Sequence, residues 1–474
     1  MASPAPGLRQ ELGLREATTL IVGSMVGSGI LLLPGVMLLD VGSPLVMLLA
    51  WVAGAVLALA GALTFAELGT MFPRAGGQYV FLRESMGDRW AFLFGWTNFW
   101  VVQAGILAAV ASAFALFVDL LVPLPGRAIE VAEGLTIPKY GVAFVAIGCI
   151  WLLAGVNYLG TRHGARVQVV FTVAKLVGIV GLLAGILLFY RPTHDPFAGA
   201  ASAAGAGLLV AFAVALSRSL FAYDGWPVIT YVASEVKDPQ RTIPRALVLG
   251  VSLVAALYIL FALAMVVAVD LPTALATGAD PNGRIATTAA QLAFGLGAAA
   301  LVAVVAGIST FGTVNGYVLA APRIPYAMAR DGMFFGSFAR LSRFATPGVA
   351  TLLMVEWASL LALTGVFAQL AILAVFGLWL FYIPTAVGYF RLRRTRPDLP
   401  RPYRTPGYPF VPLLFLASAV FVTAVILLNP STTLSALIGL ALIATGVPAH
   451  AWFERQKRRQ APERAPELVV AGVQ

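Results

Sequence analysis

The sequence predicts an all-α integral membrane protein of twelve transmembrane helices. Three observations carry that expectation. Of its 474 residues, 60% are hydrophobic and only 11% are charged, against about 25% charged in ordinary soluble domains. Long apolar runs recur along nearly the whole chain, many of them near the roughly 20 residues a membrane helix needs. Basic residues gather on alternate connections between those runs, as in a chain threaded through a bilayer. Together these exclude a disordered chain, a coiled coil and nearly every soluble enzyme. The 47 Gly and 29 Pro are spread through the apolar runs, as in membrane helices. A single Cys excludes a disulfide framework, and 3 His leave little room for a metal centre.

Taken in order, the runs fall at 17–39, 44–70, 90–121, 140–158, 167–190, 205–234, 245–269, 293–321, 348–365, 367–390, 409–428 and 431–452. The first is no signal peptide. Its apolar stretch is too long, no A-x-A site follows, and the chain continues into the second run. Twelve runs place both termini on one side. If that side is the cytoplasm, 25 of the 31 Lys and Arg lie in cytoplasmic tails and loops. Arg127, Lys139, Arg191 and Arg284 lie outside, and Lys175 and Arg218 fall within runs. This split obeys the positive-inside rule. It accounts for the net charge of +10 without nucleic acid, because Arg391–Arg396 and Arg455–Arg459 mark helix ends facing an anionic leaflet. Residues 1–14 and 453–474 are the expected cytoplasmic tails, the latter disordered from Gln456. The longest polar stretches, 122–139 and 271–292, are expected outside, and no soluble domain is visible.

Two runs are not smooth. The first carries Gly23, Gly27, Ser28, Gly29 and Pro34; the sixth carries Phe221-Ala222-Tyr223-Asp224-Gly225-Trp226-Pro227. Such clusters weaken a helix and free backbone groups that lipid cannot satisfy, so they survive where they line a cavity or ligand. The breaks lie five runs apart, at matching positions of two five-helix halves. That arrangement is the best sequence pointer to a transporter's binding site. For Gly23 and Gly27 the alternative is a small-residue helix-packing face.

Ile21-Val22-Gly23-Ser24-Met25-Val26-Gly27-Ser28-Gly29-Ile30 resembles the first-helix signature of the amino acid–polyamine–organocation (APC) transporters. Further segments match in order: Glu67-Leu68-Gly69-Thr70 through Pro73 to Gly76-Gly77-Gln78-Tyr79, Asn157-Tyr158-Leu159-Gly160, and Phe221–Trp226 on to Glu235, Lys237, Pro239, Arg241 and Pro244. Arg323, Tyr326–Gly332, Thr346-Pro347, Arg401–Arg404 and Gly407–Pro409 follow. The ordered set spans residues 12–452. The Phe-Ala-Tyr-Asp-Gly-Trp form most resembles the L-type branch, including bacterial serine/threonine-type exchangers.

The resemblance implies a LeuT-type fold. Residues 15–190 (helices 1–5) and 205–391 (helices 6–10) would be inverted repeats, with 409–452 as two accessory helices. It implies an amino acid zwitterion bound between the breaks. Val26, Gly27, Ser28, Gly29 and Ile30 would take the carboxylate at a half-helix N-terminus. Carbonyls of Phe221, Ala222 and Tyr223, beside Asp224 and Gly225, would take the ammonium.

Lys175 lies about 12 Å inside its run, too deep for easy snorkelling, and intramembrane charges are functional candidates. The resemblance places its ammonium where a sodium ion binds in relatives. Its acceptors would be carbonyls near Gly23 and Val26 and hydroxyls such as Ser309 or Thr310. A structural Lys and a proton-coupled Lys are the alternatives. Asp224 would accept from freed N–H groups or pair with a cation. Arg218 would either face an outer vestibule, contacting Asp224 or substrate, or snorkel outward. Glu356 suits packing or oligomer contacts, and Gln103 either the substrate pocket or a helix–helix bond.

The expected activity is sodium-independent exchange of L-amino acids, with proton symport as the alternative and a sensor or channel as the different class. No metalloprotease His pair, intramembrane Asp pair or phosphate-binding Gly-x-x-x-x-Gly-Lys-Ser/Thr loop is present, so neither an enzyme nor a cofactor is expected. Animal L-type relatives pair with a single-span glycoprotein through a Cys in the loop corresponding to 122–139. That loop has no Cys here, and Cys149 falls within a run. The resemblance therefore implies a stand-alone permease in a bacterial plasma membrane, without a disulfide-linked subunit.

Overall fold

Apolar length becomes helix along most of the chain. The computed structural model describes residues 7–132, 135–190, 194–197, 206–280, 283–364 and 367–460. Its helices are α1 (Leu14–Met25), α2 (Gly29–Val41), α3 (Pro44–Met71), α4 (Gln78–Met86), α5 (Asp88–Thr97), α6 (Ala104–Leu121), α7 (Tyr140–Tyr158), α8 (Thr161–Phe189) and α9 (Ala206–Ala222). They continue as α10 (Val228–Tyr231), α11 (Pro239–Ala268), α12 (Leu271–Ala279), α13 (Ile285–Phe294), α14 (Ala298–Ala320) and α15 (Arg323–Arg330). The last four are α16 (Gly348–Leu363), α17 (Phe367–Thr395), α18 (Phe410–Leu428) and α19 (Pro430–Gln460). A π-turn over Asn98–Gln103 joins α5 to α6.

Among the described residues, nine helices are long and apolar enough to cross a membrane, or ten if the bent pair α1–α2 is one span. Gly207–Ala222 and Gly348–Leu363, at the expected sixth and ninth runs, are apolar but shorter. The broken helix lies centrally, with α1 packed on α8, α11 and α14.

Four features depart from the sequence reading. The stretch 122–139 contains an antiparallel pair, β1 (Ile129–Ala132) and β2 (Leu135–Ile137), in register Ile129 to Ile137, so the chain is not purely α. Within 271–292, Leu271–Ala279 and the residues from Ile285 are helical rather than open loop, because α12 docks on α2 and α13 on α14. Gly35 and Gly278 let the first of these contacts close, since a Cβ on Gly278 would strike the Gly35 backbone. The N-terminal segment is no free tail: Glu11 and Leu12 N–H groups donate to Glu235 O at 2.9 Å, and Lys237 N–H donates to Leu12 O at 2.8 Å. At the other end α19 runs to Gln460, past the expected 452; the tail beyond 460 lies outside the described residues.

Two buried ion networks tie these helices together at the expected cytoplasmic ends. Arg323 on α15 donates to both Glu235 oxygens at 2.7 and 3.0 Å and to Thr161 at 3.2 Å, and Thr161 also bonds Glu235. Glu67 on α3 accepts from Arg393 at 2.5 and 3.0 Å, Tyr389 at 2.9 Å and Thr405 N–H at 2.7 Å. Removing one member of a buried pair leaves an uncompensated charge and costs about 3–5 kcal/mol. Arg323→Met should therefore lower the melting temperature of the detergent-purified protein by several degrees. An unchanged melting curve would show that the pair contributes no net stability.

Candidate functional site

The first break follows from Gly27-Ser28-Gly29. α1 stops at Met25, α2 restarts at Gly29, and the two axes bend by 41°. The last carbonyls of α1 and the first N–H groups of α2 thereby lose intrahelical partners. Side chains from three other helices take up the carbonyls. Lys175 of α8, fully buried, donates to Gly23 O at 2.8 Å, Val26 O at 2.7 Å and Thr313 Oγ1 at 3.1 Å. Three acceptors match the three N–H bonds of an ammonium. Ser309 donates to Val26 O at 2.8 Å, Thr313 lies 3.0 Å from Gly23 O, and Tyr258 donates to Met25 O at 2.8 Å.

Thr313 supplies the hydroxyl expected of Ser309 or Thr310, since Ser309 bonds Val26 O rather than Lys175. The Thr310 hydroxyl turns back on its own helix, to Ala306 O at 2.8 Å. Ser309 and Thr313 are four residues apart and share a helix face, whereas Thr310 points about 100° away. That phase was readable from the sequence. Gly23 joins both readings offered for it, since its carbonyl binds Lys175 while a Cβ would collide with Gln168 and Thr172 of α8.

The second break runs from Tyr223 to Pro227 between α9 and α10. Gly225 has φ +114°, and a Cβ there would lie 3.0 Å from the carbonyl group of Ser24. Glycine thus lets the two breaks touch. Asp224 Oδ1 accepts from Gly225 N–H at 2.6 Å and Tyr382 OH at 3.0 Å, and among the described residues its buried Oδ2 makes no hydrogen bond within 3.5 Å. Tyr223 is fully buried, edge-on to Trp51 at 5.7 Å and 5.2 Å from the Tyr258 ring. The Phe221 carbonyl accepts from Asp224 N–H at 3.2 Å.

Between the breaks lies a cavity of about 250 Å³. Gly27, Ser28, Gly29, Phe221, Ala222 and Asp224 line it, with Ser24, Met25, Tyr258, Thr313 and Tyr317. Val26, Ile30, Tyr223, Gly225, Lys175, Ser309 and Thr310 are not among its lining residues. Gln103 does not reach it. It sits buried in the π-turn, one turn before Ile106, Ala109, Val110 and Ala113, which α6 presents to the cavity. Arg218 does not reach Asp224. It forms an ion pair with Asp40 at 2.5 Å, tying α9, about one turn before its break, to the last turn of α2. Glu356 is exposed on α16, away from the cavity. Tyr258, Trp51, Tyr382 and Asp40 escaped the sequence reading because nothing local distinguishes them. Among the described residues no cluster of His, Cys, Asp and Glu could hold a metal ion.

The amino acid permease family model matches residues 12–447. The chain is 32% identical over 463 residues to the serine/threonine exchanger SteT of Bacillus subtilis (strain 168), covering 95% of this chain and 98% of the exchanger. It is 31% identical over 431 residues to the b(0,+)-type amino acid transporter 1 of Homo sapiens, covering 90% and 84%. It is also 31% identical over 476 residues to the large neutral amino acids transporter small subunit 2 of Homo sapiens, covering 95% and 82%. These relatives are named as transporters and exchangers, not enzymes. A multi-pass membrane protein with this helix set and this match along nearly its whole length belongs to the amino acid permease family, within the APC superfamily and resembling its L-type branch.

Proposed function

We propose that this protein is a sodium-independent exchanger of L-amino acids, working by alternating access. The zwitterion binds in the cavity between the breaks. Its carboxylate faces the N–H groups of Ser28, Gly29 and Ile30 at the positive end of α2. Its ammonium faces the carbonyls of Phe221, Ala222 and Tyr223 and the carboxylate of Asp224. The observation that carries the reading is the Lys175 ammonium, seated on Gly23 O, Val26 O and Thr313 Oγ1. It supplies at the first break the fixed positive charge that a sodium ion would otherwise bring. The exchanger and transporter names of the relatives support the substrate class.

The same reading takes the chain as twelve spans, with α1–α2 as the first, α9–α10 as the sixth and α16 as the ninth. Residues 15–190 and 205–391 are then inverted repeats, with 409–452 accessory and the Arg-rich ends in the cytoplasm of a bacterial cell.

Proteoliposomes test it. Uptake of radiolabelled serine should rise when unlabelled serine is enclosed and stay unchanged when sodium is replaced by potassium. Sodium stimulation would overturn the reading. Uptake driven by a proton gradient without stimulation from inside would replace exchange by proton symport. Absence of saturable uptake would leave a sensor or channel.

The protein also works without a covalent partner. One relative is named a small subunit, so pairing is the alternative. Here Cys149 is buried within α7, and a disulfide needs Cα atoms within about 7 Å. Cys149→Ser should transport at the wild-type rate, and non-reducing gels should show no Cys-dependent heavier band. Joint loss of transport and of such a band in the variant would establish a disulfide partner.

A further inference from the structure

Away from the cavity, a recess of about 680 Å³ opens at the base of α1 and α8. Four cations line it from three separate segments: Arg15 on the first turn of α1, Arg162 and Arg166 on the first turns of α8, and Lys237 before α11. All four are exposed, and among the described residues none makes an ion pair or a side-chain hydrogen bond. The recess holds two carboxylates, and both are held by backbone. Glu11 accepts from Arg162 N–H and Glu16 from Gly13 N–H, each at 2.9 Å. The walls therefore carry two net positive charges. Two of the cations, Arg15 and Arg162, sit in the first turn of a helix, where the helix dipole disfavours them and favours an anion.

A second observation identifies the anion's carrier. Arg162 and Arg166 head a single face of α8 that continues through Val170, Val173, Val177 and Val180, all exposed. Their spacing of four, four, three, four and three residues keeps them in one stripe along the helix. An apolar chain lying on the valines would present its polar end to the arginines. We propose that the recess binds the phosphate of an anionic phospholipid headgroup, with an acyl chain along the valine stripe of α8. The shared chemistry is a phosphate anion, and the stripe favours a lipid over a soluble phosphate.

The test uses full-length protein purified in a neutral detergent. Melting is followed while short-chain phosphatidylglycerol, short-chain phosphatidylcholine or inorganic phosphate is added. Phosphatidylglycerol should stabilise the wild type, and the other two should not. In R162Q/R166Q the half-saturating phosphatidylglycerol concentration should rise by roughly tenfold or more. In R391Q/R394Q, which removes equal charge from another basic cluster, it should stay unchanged. Equal half-saturation in wild type and R162Q/R166Q would overturn the site. Equal loss in R391Q/R394Q would reduce it to diffuse surface charge. Full stabilisation by inorganic phosphate alone would overturn the lipid. Should R162Q/R166Q fail to fold, R15Q/K237Q on the facing walls carries the same expectation and is overturned by the same result.

Discussion

Replacing Lys175 by alanine should slow amino acid exchange by about a hundredfold while the protein still folds and inserts. The loss follows from the acceptors. Gly23 O and Val26 O each give up a charged donor, at 2.8 and 2.7 Å, and a hydrogen bond to a charged group contributes about 1.5–3 kcal/mol. Two such losses reach about 3 kcal/mol or more, close to a hundredfold in an equilibrium constant. Folding survives because the break keeps other donors. Ser309 still reaches Val26 O at 2.8 Å, and Tyr258 still holds Met25 O at 2.8 Å. The neighbours grade the effect. Thr313→Val removes a hydroxyl that touches Lys175 and should cost exchange several-fold, whereas Thr310→Val loses a bond within its own helix and should leave exchange unchanged. Initial rates in proteoliposomes, normalised to monodisperse protein, measure all three. A fully active Lys175→Ala would remove the role assigned to the ammonium.

The features legible from residues alone were those written as composition or spacing. Apolar length set out the helices, and Gly27-Ser28-Gly29 and Asp224-Gly225 marked the breaks, because backbone that lipid cannot satisfy needs a local cause. What escaped depends on how helices dock. Arg218 and Asp40 are 178 positions apart, and their pairing exists only once α2 and α9 lie side by side. Leu271–Ala279 is a helix because it packs on α2, and its polar flanks suggest loop equally well. Gln103 suits either the pocket or a helix–helix bond when read on an ideal helix, but it lies in a π-turn over 98–103, and a π-turn has no reliable sequence mark. Thr313 is the exception. Helical periodicity from Ser309 already pointed to it.

Gly27→Val and Gly29→Val should each fold normally and lose amino acid binding, by about a hundredfold or more. A Cβ added at Gly27 meets no atom within 4 Å, and one at Gly29 meets only Leu33 Cδ1 at 3.5 Å. Both sites accommodate a Cβ, so under the proposed function the value of these glycines lies in the space they leave beside the N–H groups that open α2. Valine fills that space, and its β-branch narrows the backbone to one basin. Two charge-assisted hydrogen bonds to a carboxylate, at about 1.5–3 kcal/mol each, would be blocked. Gly225→Ala makes the contrast. There φ is +114° and the Ser24 carbonyl group stands 3.0 Å from the new Cβ, so the expected defect is instability. Melting with and without saturating serine separates the two outcomes. The two valine variants should melt like the wild type without ligand and show no shift with it, while Gly225→Ala should melt early in both conditions. If either valine variant binds serine with wild-type affinity, the carboxylate does not sit at the opening of α2.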